Sequence, residues 1–306
     1  MASCDTLIVI SGPTAVGKTD VAVGLAERLG CEILSADSRQ VYEEMSIGTA
    51  APAAEVLARV PHHFVRCRSV RSPINAYDFE QEAMRILPDV FRRGGGLAIL
   101  AGGSMMYVDA LCRGIDPMPD VPAELRMELK EQLAHEGLEA MVGRLRRLDP
   151  DYCEVADLRN PRRVLHALEV CLASGATLTS LRRGGGALRP FKILKFALVR
   201  PREELYCRIG KRVDQMMDDG LLREVEGLRQ FEGLQPLQTV GYRELFLYLD
   251  GGVTLDEAVG LIKRNTRRYA KKQLTWINSD DQYCKLPPEG AEKKIVETLA
   301  GLKTMP

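Results

Sequence analysis

The sequence predicts an α/β protein, a parallel sheet flanked by helices, interrupted by an all-helical insertion domain. Three observations carry that expectation. The apolar run Leu7-Ile8-Val9-Ile10 feeds directly into Gly12-Pro13-Thr14-Ala15-Val16-Gly17-Lys18-Thr19 and then into a helical pattern over residues 20–29. Two more buried-strand patterns, residues 31–37 and 97–101, end in an acid or a glycine turn, as parallel strands do where they face a ligand. From residue 124 to 181 the periodicity is helical without a convincing strand, and residues 191–199 then return to the sheet.

The first of these segments sets the chemistry. G-x-x-x-x-G-K-T between strand and helix makes the core P-loop NTPase-like: Gly12 and Gly17 let backbone amides and the helix N-terminus converge on phosphate oxygens. Thr14, Ala15 and Val16 supply intervening backbone, Lys18 adds a point charge, and the Thr19 hydroxyl can hold Mg²⁺. Such a loop recognises a chain of phosphates, and the group attached to that chain must be read elsewhere.

Composition bounds the possibilities. With 306 residues, 45% hydrophobic and 27% charged, the chain is long enough for one large domain or a core with an insertion. Lys+Arg and Asp+Glu both number 42, which argues against a wholly basic nucleic-acid binder but leaves room for local basic stripes. The eight cysteines include no C-x-x-C pair, so zinc or disulfide frameworks are not expected and a reducing cytoplasmic setting is. The first strand begins within a few residues of the start, leaving no room for a signal peptide, and no apolar run could span a bilayer.

Taken in order, the second strand ends at Asp37, which the topology aims at the same crevice as the phosphate loop. Ser38-Arg39-Gln40-Val41-Tyr42 and Ile47-Gly48-Thr49-Ala50 then have the composition of a substrate-contacting loop, although a solvated surface loop would look similar. His62-His63-Phe64-Val65 suggests a short strand, and the two histidines read as structural because no carboxylate or cysteine lies nearby at metal spacing. Phe79, Ala83, Ile86, Leu87 and Val90 fall on one face of a helix over residues 76–91. Gly102-Gly103-Ser104 is a second glycine turn, whose serine either serves the crevice or simply caps a helix.

A proline-punctuated hinge at residues 116–122 divides the chain into residues 1–115, the first part of the core; 116–189, the insertion; and 190–306, the second part of the core with a basic C-terminal helix. The insertion is rich in arginine, Arg126, Arg162 and Arg163 among them, but acids balance it as on a solvated face. Arg182-Arg183-Gly184-Gly185-Gly186 is expected to close it flexibly. Arg208 and Arg212, one turn apart, could close over a phosphate chain. The capping box Thr254-Leu255-Asp256-Glu257 starts a long helix on which Arg264, Arg267, Arg268, Lys271 and Lys272 form a stripe suited to a nucleic-acid backbone.

Those segments, together with Arg162-Arg163-Val164-Leu165-His166-Ala167-Leu168-Glu169-Val170, Val240-Gly241-Tyr242-Arg243 and residues 267–276, resemble the tRNA dimethylallyltransferase family, in order and over nearly the whole chain. The resemblance implies transfer of a dimethylallyl group from dimethylallyl diphosphate to the exocyclic amine of the adenine 3′ of the anticodon, in a protein of bacterial type. It implies that Gly12, Thr14, Ala15, Val16, Gly17, Lys18 and Thr19 hold the diphosphate with Mg²⁺ and Arg212. It implies further that Asp37 accepts the amine proton and that Ser104 lies at the reaction channel. The tRNA anticodon stem-loop would be touched by Asp37, Ser38, Arg39, Gln40, Arg126, Arg162, Arg163, Val164, Leu165, His166, Gln238, Thr239, Val240, Gly241, Tyr242 and Arg243, in a protein expected to be a monomer. Three positions depart from the family pattern: Ser104 replaces threonine, Ala51 a lysine, and His166 an arginine.

The chemistry agrees with these residues. The lone pair of an exocyclic adenine amine is delocalised into the ring, so a base that removes the proton as the new bond forms raises its reactivity. The alternative is a nucleotide or small-metabolite kinase, which would use the same loop for ATP but has no need of the basic helix. A non-enzymatic RNA-binding ATPase module is a third reading, against which Asp37 and Ser104 at neighbouring strand ends argue.

Overall fold

Burial on both faces makes the central strands predominantly apolar. The computed structural model describes residues 5–182 and 187–303, and the chain divides into two units, Met1–Arg113 with Arg189–Pro306, and Gly114–Leu188. The first unit begins β1 (Thr6–Ser11), α1 (Lys18–Leu29), β2 (Glu32–Ala36), α2 (Ala54–Arg59), β3 (His62–His63), α3 (Ala76–Arg93), β4 (Leu97–Gly102) and α4 (Met105–Arg113). The second contains α5 (Ala123–Leu148), α6 (Pro150–Val155), α7 (Pro161–Ser174) and α8 (Leu178–Leu181). The first then resumes with β5 (Lys192–Leu198), α9 (Arg202–Asp218), α10 (Leu221–Gly227), α11 (Tyr242–Leu249), α12 (Leu255–Asn278), β6 (Cys284–Leu286) and α13 (Ala291–Lys303).

The strands form one parallel sheet in the order β3-β2-β4-β1-β5-β6. β1 lies between β4 and β5, with Ser11 level with Gly102 and Ala197. β2 pairs with β4 so that Ala36 lies opposite Gly102. This register brings the phosphate-loop turn, Asp37 and Ser104 together just past the carboxyl ends of β1, β2 and β4. Cores on the two faces of the sheet are led by Phe79, Tyr42 and Phe246 on one side and Ile8, Ile10 and Phe196 on the other.

Two strand expectations need correction. The segment at His62 keeps only two residues of strand, because Phe64 and Arg66 take positive φ values of 63° and 43° and turn the chain away. β6, three residues long and two of them exposed, carries no alternating pattern, so it leaves no strand signal in the sequence although it forms the sheet's edge. The glycine-rich connection expected at 183–186 lies outside the described residues.

The helical unit has its own core, formed by Leu129, Met141, Leu145, Tyr152, Val164, Leu168 and Leu178 among others. α5 is broken at Gly137, whose φ of 80° and ψ of 170° are not helical. Asp149 is the polar staple: its buried carboxylate accepts from Tyr152 N at 3.1 Å, Thr179 N at 2.9 Å and Thr179 Oγ1 at 2.7 Å, tying α6 to α8. Among the described residues, no helix is long and apolar enough to cross a membrane.

Lys195 is the anomaly of the sheet, a lysine in the buried strand β5 with 7% exposure. Its Nζ donates to Asp280 Oδ2 and to Gln282 Oε1, both at 2.8 Å, and Arg113 donates to the same Asp280 oxygen at 2.7 Å. This cluster anchors the C-terminal end of α12, three residues ahead of Tyr283, whose hydroxyl meets Ser11 Oγ at 3.0 Å. Burial opposes the ionised form of Asp280, but the hydrogen bonds from Lys195, the Gln282 amide and Arg113 outweigh it and hold the carboxyl below its ordinary range. Asp280→Asn leaves Lys195 charged and buried, so urea unfolding at pH 7 should register a loss of about 3–5 kcal/mol. Because the folded pKa is the lower one, that difference should shrink as pH falls below the unfolded value of about 3.9 and persist above it.

Candidate active site

The glycine turn after β1 is shaped by close packing as much as by sequence. A Cβ on Gly12 would sit 2.8 Å from the Leu198 carbonyl oxygen and 3.0 Å from Val16 Cγ1, and Gly17 enters α1 at φ 108°. Three arginines on or just before α9 brace the turn from outside. Arg200 Nε donates to Val16 O at 2.9 Å, Arg208 Nε to Ala15 O at 2.8 Å, and Arg212 approaches Thr14 Oγ1 at 3.5 Å and Thr49 O at 3.4 Å. The Val16 side chain is core, so this residue contributes only backbone to the loop.

Lys18 folds over the turn and donates to the carbonyls of Gly12 and Pro13, both at 2.9 Å. Burial, then the neighbouring Arg212, push its ammonium down to about 8 against the opposing pull of Asp37. Burial also lowers Arg212, with Asp37 again opposing and Arg208 adding to the shift. Two partly desolvated cations side by side in one cleft suit an anion of more than one charge.

Asp37 follows β2, and its Oδ1 accepts from the amides of Arg39 at 2.9 Å and Gln40 at 3.3 Å. Oδ2 has no hydrogen-bond partner among the described residues. Ser104 is 8% exposed; its Oγ accepts from Ser38 N at 2.8 Å and lies 3.1 Å from Ser38 Oγ, so the hydroxyl fixes the turn that carries Asp37. Its backbone oxygen, meanwhile, receives the first amides of α4. Among the described residues, the Ser104 side chain bonds to Ser38 rather than to the amides of α4.

These groups share a cleft of about 780 Å³, lined by Lys18, Asp37, Ser104, Arg212 and, from α12, Tyr269 and Gln273. Thr239, Val240 and Gly241 reach the same cleft, whereas Gln238 and Arg243 are exposed outside its lining. Arg126, Arg162, Arg163 and His166 are exposed on the helical unit.

Three tRNA-contact expectations are corrected at the level of side chains. Val164 and Leu165 belong to the core of the helical unit, and Tyr242 is fully buried in the first unit with its hydroxyl donating to Glu224 at 2.6 Å. On α12, Arg264, Arg268, Lys271 and Lys272 are exposed, but Arg267 draws its guanidinium over the Tyr206 ring at 5.7 Å. The paired histidines hold structure: His62 Nδ1 lies 2.7 Å from Val60 O and His63 Nε2 2.7 Å from Glu32 Oε2.

Gln273 escaped sequence reasoning. It is 3% exposed, accepts from Thr14 N at 2.9 Å through Oε1, and donates to Gly103 O at 2.7 Å through Nε2, so one amide joins both glycine turns. Its signal is positional: Ile262, Ala270, Gln273 and Ile277 form the buried stripe of α12, and a polar residue there demands partners.

Comparison with known proteins agrees with the geometry. The chain is 50% identical over 294 residues to tRNA dimethylallyltransferase 1 of Bacteroides thetaiotaomicron, covering 96% of this chain and 95% of that one. Over 294 residues it is 48% identical to tRNA dimethylallyltransferase 1 of Bacteroides fragilis, covering 96% and 97%. The fold matches the full-length tRNA isopentenylpyrophosphate transferase of Bacillus halodurans with a TM-score of 0.71 and 35% identity over 97% of this chain and 96% of that one. It also matches a eukaryotic dimethylallyltransferase acting on tRNA with a TM-score of 0.78 and 25% identity over 93% and 74%. A family model described as IPP transferase matches residues 40–280, and with these relatives it establishes that the chain belongs to the IPP transferase family.

Proposed function

We propose that this chain transfers a dimethylallyl group from dimethylallyl diphosphate to the exocyclic amine of the adenine 3′ of a tRNA anticodon. The observation that carries this reading is Asp37, a carboxylate fixed through one oxygen and set in the same cleft as Lys18, Arg212 and the glycine turn. As the N–C bond forms, the C–O bond to diphosphate breaks and Asp37 takes the amine proton. Charge gathering on the departing diphosphate meets Lys18, Arg212 and the amides at the start of α1. The target base has to leave its stack to reach Asp37, as bases do in enzymes that work on them directly.

Thr19 is exposed in the first turn of α1 beside Lys18, and its hydroxyl is the hard oxygen that Mg²⁺ accepts alongside phosphates. The residues therefore fit a magnesium ion held at Thr19, which would supply further neutralisation of the diphosphate. Exposed Arg264, Arg268, Lys271 and Lys272 on α12, and Arg126, Arg162, Arg163 and His166 on the helical unit, provide cationic or polar surface for tRNA phosphates. We take the working form to be a cytoplasmic monomer.

Incubation with an adenine-containing anticodon stem-loop, Mg²⁺ and either dimethylallyl diphosphate or ATP, followed by mass spectrometry of the RNA, tests the whole reading. One dimethylallyl group should appear on the adenine with the first donor, and phosphate transfer from ATP instead would overturn it. Asp37→Asn keeps size and hydrogen bonding but removes basicity, so single-turnover transfer should slow by about 10²–10⁴-fold while both substrates still bind. Near wild-type transfer by this variant would remove Asp37 as the base. Replacing Arg264, Arg268 and Lys272 together by Gln should reduce the slope of log affinity against log salt by about two and leave the melting temperature unchanged. An unaltered slope would return α12 to an ordinary solvated surface.

A further inference from the structure

The loop at residues 47–50 carries no catalytic side chain, yet it is held more tightly than a surface loop requires. Glu224, in the first turn of α10, accepts from Ile47 N at 2.8 Å through Oε2 and from Gly48 N at 2.9 Å through Oε1. The same Oε1 accepts from the Tyr242 hydroxyl at 2.6 Å. The buried Tyr242 ring presses on the loop so closely that a Cβ on Gly48 would lie 2.6 Å from it. One carboxylate thus receives two backbone amides and a phenol, and these charge-assisted bonds fix where the next two carbonyls point.

Those carbonyls reach the site. Thr49 O accepts from Arg212 Nη2 at 3.4 Å and from Gln40 Nε2 at 3.2 Å, and Ala50 O accepts from the same Gln40 amide at 3.1 Å. Gln40 in turn gives its backbone amide to Asp37 Oδ1 at 3.3 Å. A continuous path therefore runs from Glu224 through the loop to the diphosphate arginine on one branch and to the carboxylate on the other.

We propose that Glu224 is a positioning residue for prenyl transfer: by clamping the amides of Ile47 and Gly48, it sets the Thr49 and Ala50 carbonyls that orient Arg212 and, through Gln40, Asp37. This inference rests on the proposed function. It accounts for the burial of Tyr242 and the absence of a side chain at Gly48, two features that contact with tRNA leaves unexplained.

The test compares Glu224→Gln with Tyr242→Phe. The glutamine presents one acceptor oxygen where the carboxylate has two, and the phenylalanine keeps the ring against Gly48 while removing its hydroxyl. Misplacing reacting groups by about an ångström costs up to about 10²-fold, so kcat of Glu224→Gln should fall by roughly 10–100-fold and that of Tyr242→Phe by less. Affinity for the anticodon stem-loop should stay within about twofold of wild type, and affinity for inorganic pyrophosphate should drop with the loosened Arg212. Wild-type kcat with only a lowered melting temperature, or a loss confined to stem-loop affinity, would overturn the assignment. Absence of prenyl transfer by the wild-type protein would instead overturn the proposed function. Pyrophosphate binding by both variants still reads the path to Arg212 in that case.

Discussion

Two cations and a carboxylate share one cleft without neutralising each other, and much of the surrounding structure follows from that constraint. Asp37 forms no ion pair with Lys18 or Arg212 among the described residues. Backbone groups keep them apart. Lys18 spends its hydrogens on the Gly12 and Pro13 carbonyls, Arg212 leans on Thr49 O, and Asp37 Oδ1 is taken by the Arg39 and Gln40 amides. Each charge is held by dipoles of the main chain, which can yield to a ligand at small cost because they are not ion pairs.

Helix α12 serves that arrangement from two sides. Its buried stripe brings Gln273 between the glycine turns, and its exposed side carries Arg264, Arg268, Lys271 and Lys272. The helix is fixed at its start by the Thr254 capping box and beyond its end by Asp280 on Lys195. A rigid element with one face on the glycine turns and another toward solvent can support the cleft and an exposed basic surface together.

What could be read in the sequence was what is local. The phosphate loop, the capping box and the apolar strands declare themselves over fewer than ten residues, because strand, turn and helix each have a short-range physical signature. Residues that act across the fold do not. Glu224 meets Gly48 from 176 positions away and Gln273 meets Thr14 from 259, and neither residue type is unusual in a helix. Tyr242, Val164 and Leu165 illustrate the opposite error: a motif marks a segment, and within it some side chains serve the core. β6 was hidden because an exposed edge strand of three residues lacks the burial that writes a pattern into sequence.

Departures from the family pattern sort by the same logic. Both contacts of Ser104 with Ser38 use the hydroxyl alone, so the methyl that threonine would add is not part of the bond network, and the turn carrying Asp37 keeps its support. His166 is exposed on the helical unit, where a change of side chain disturbs no packed site. Ala51 directly follows the loop clamped by Glu224, and its amide still donates to Ser46 O at 3.0 Å, so the loop closes through backbone whatever side chain stands there. Each departure thus falls on a group that none of these hydrogen bonds requires.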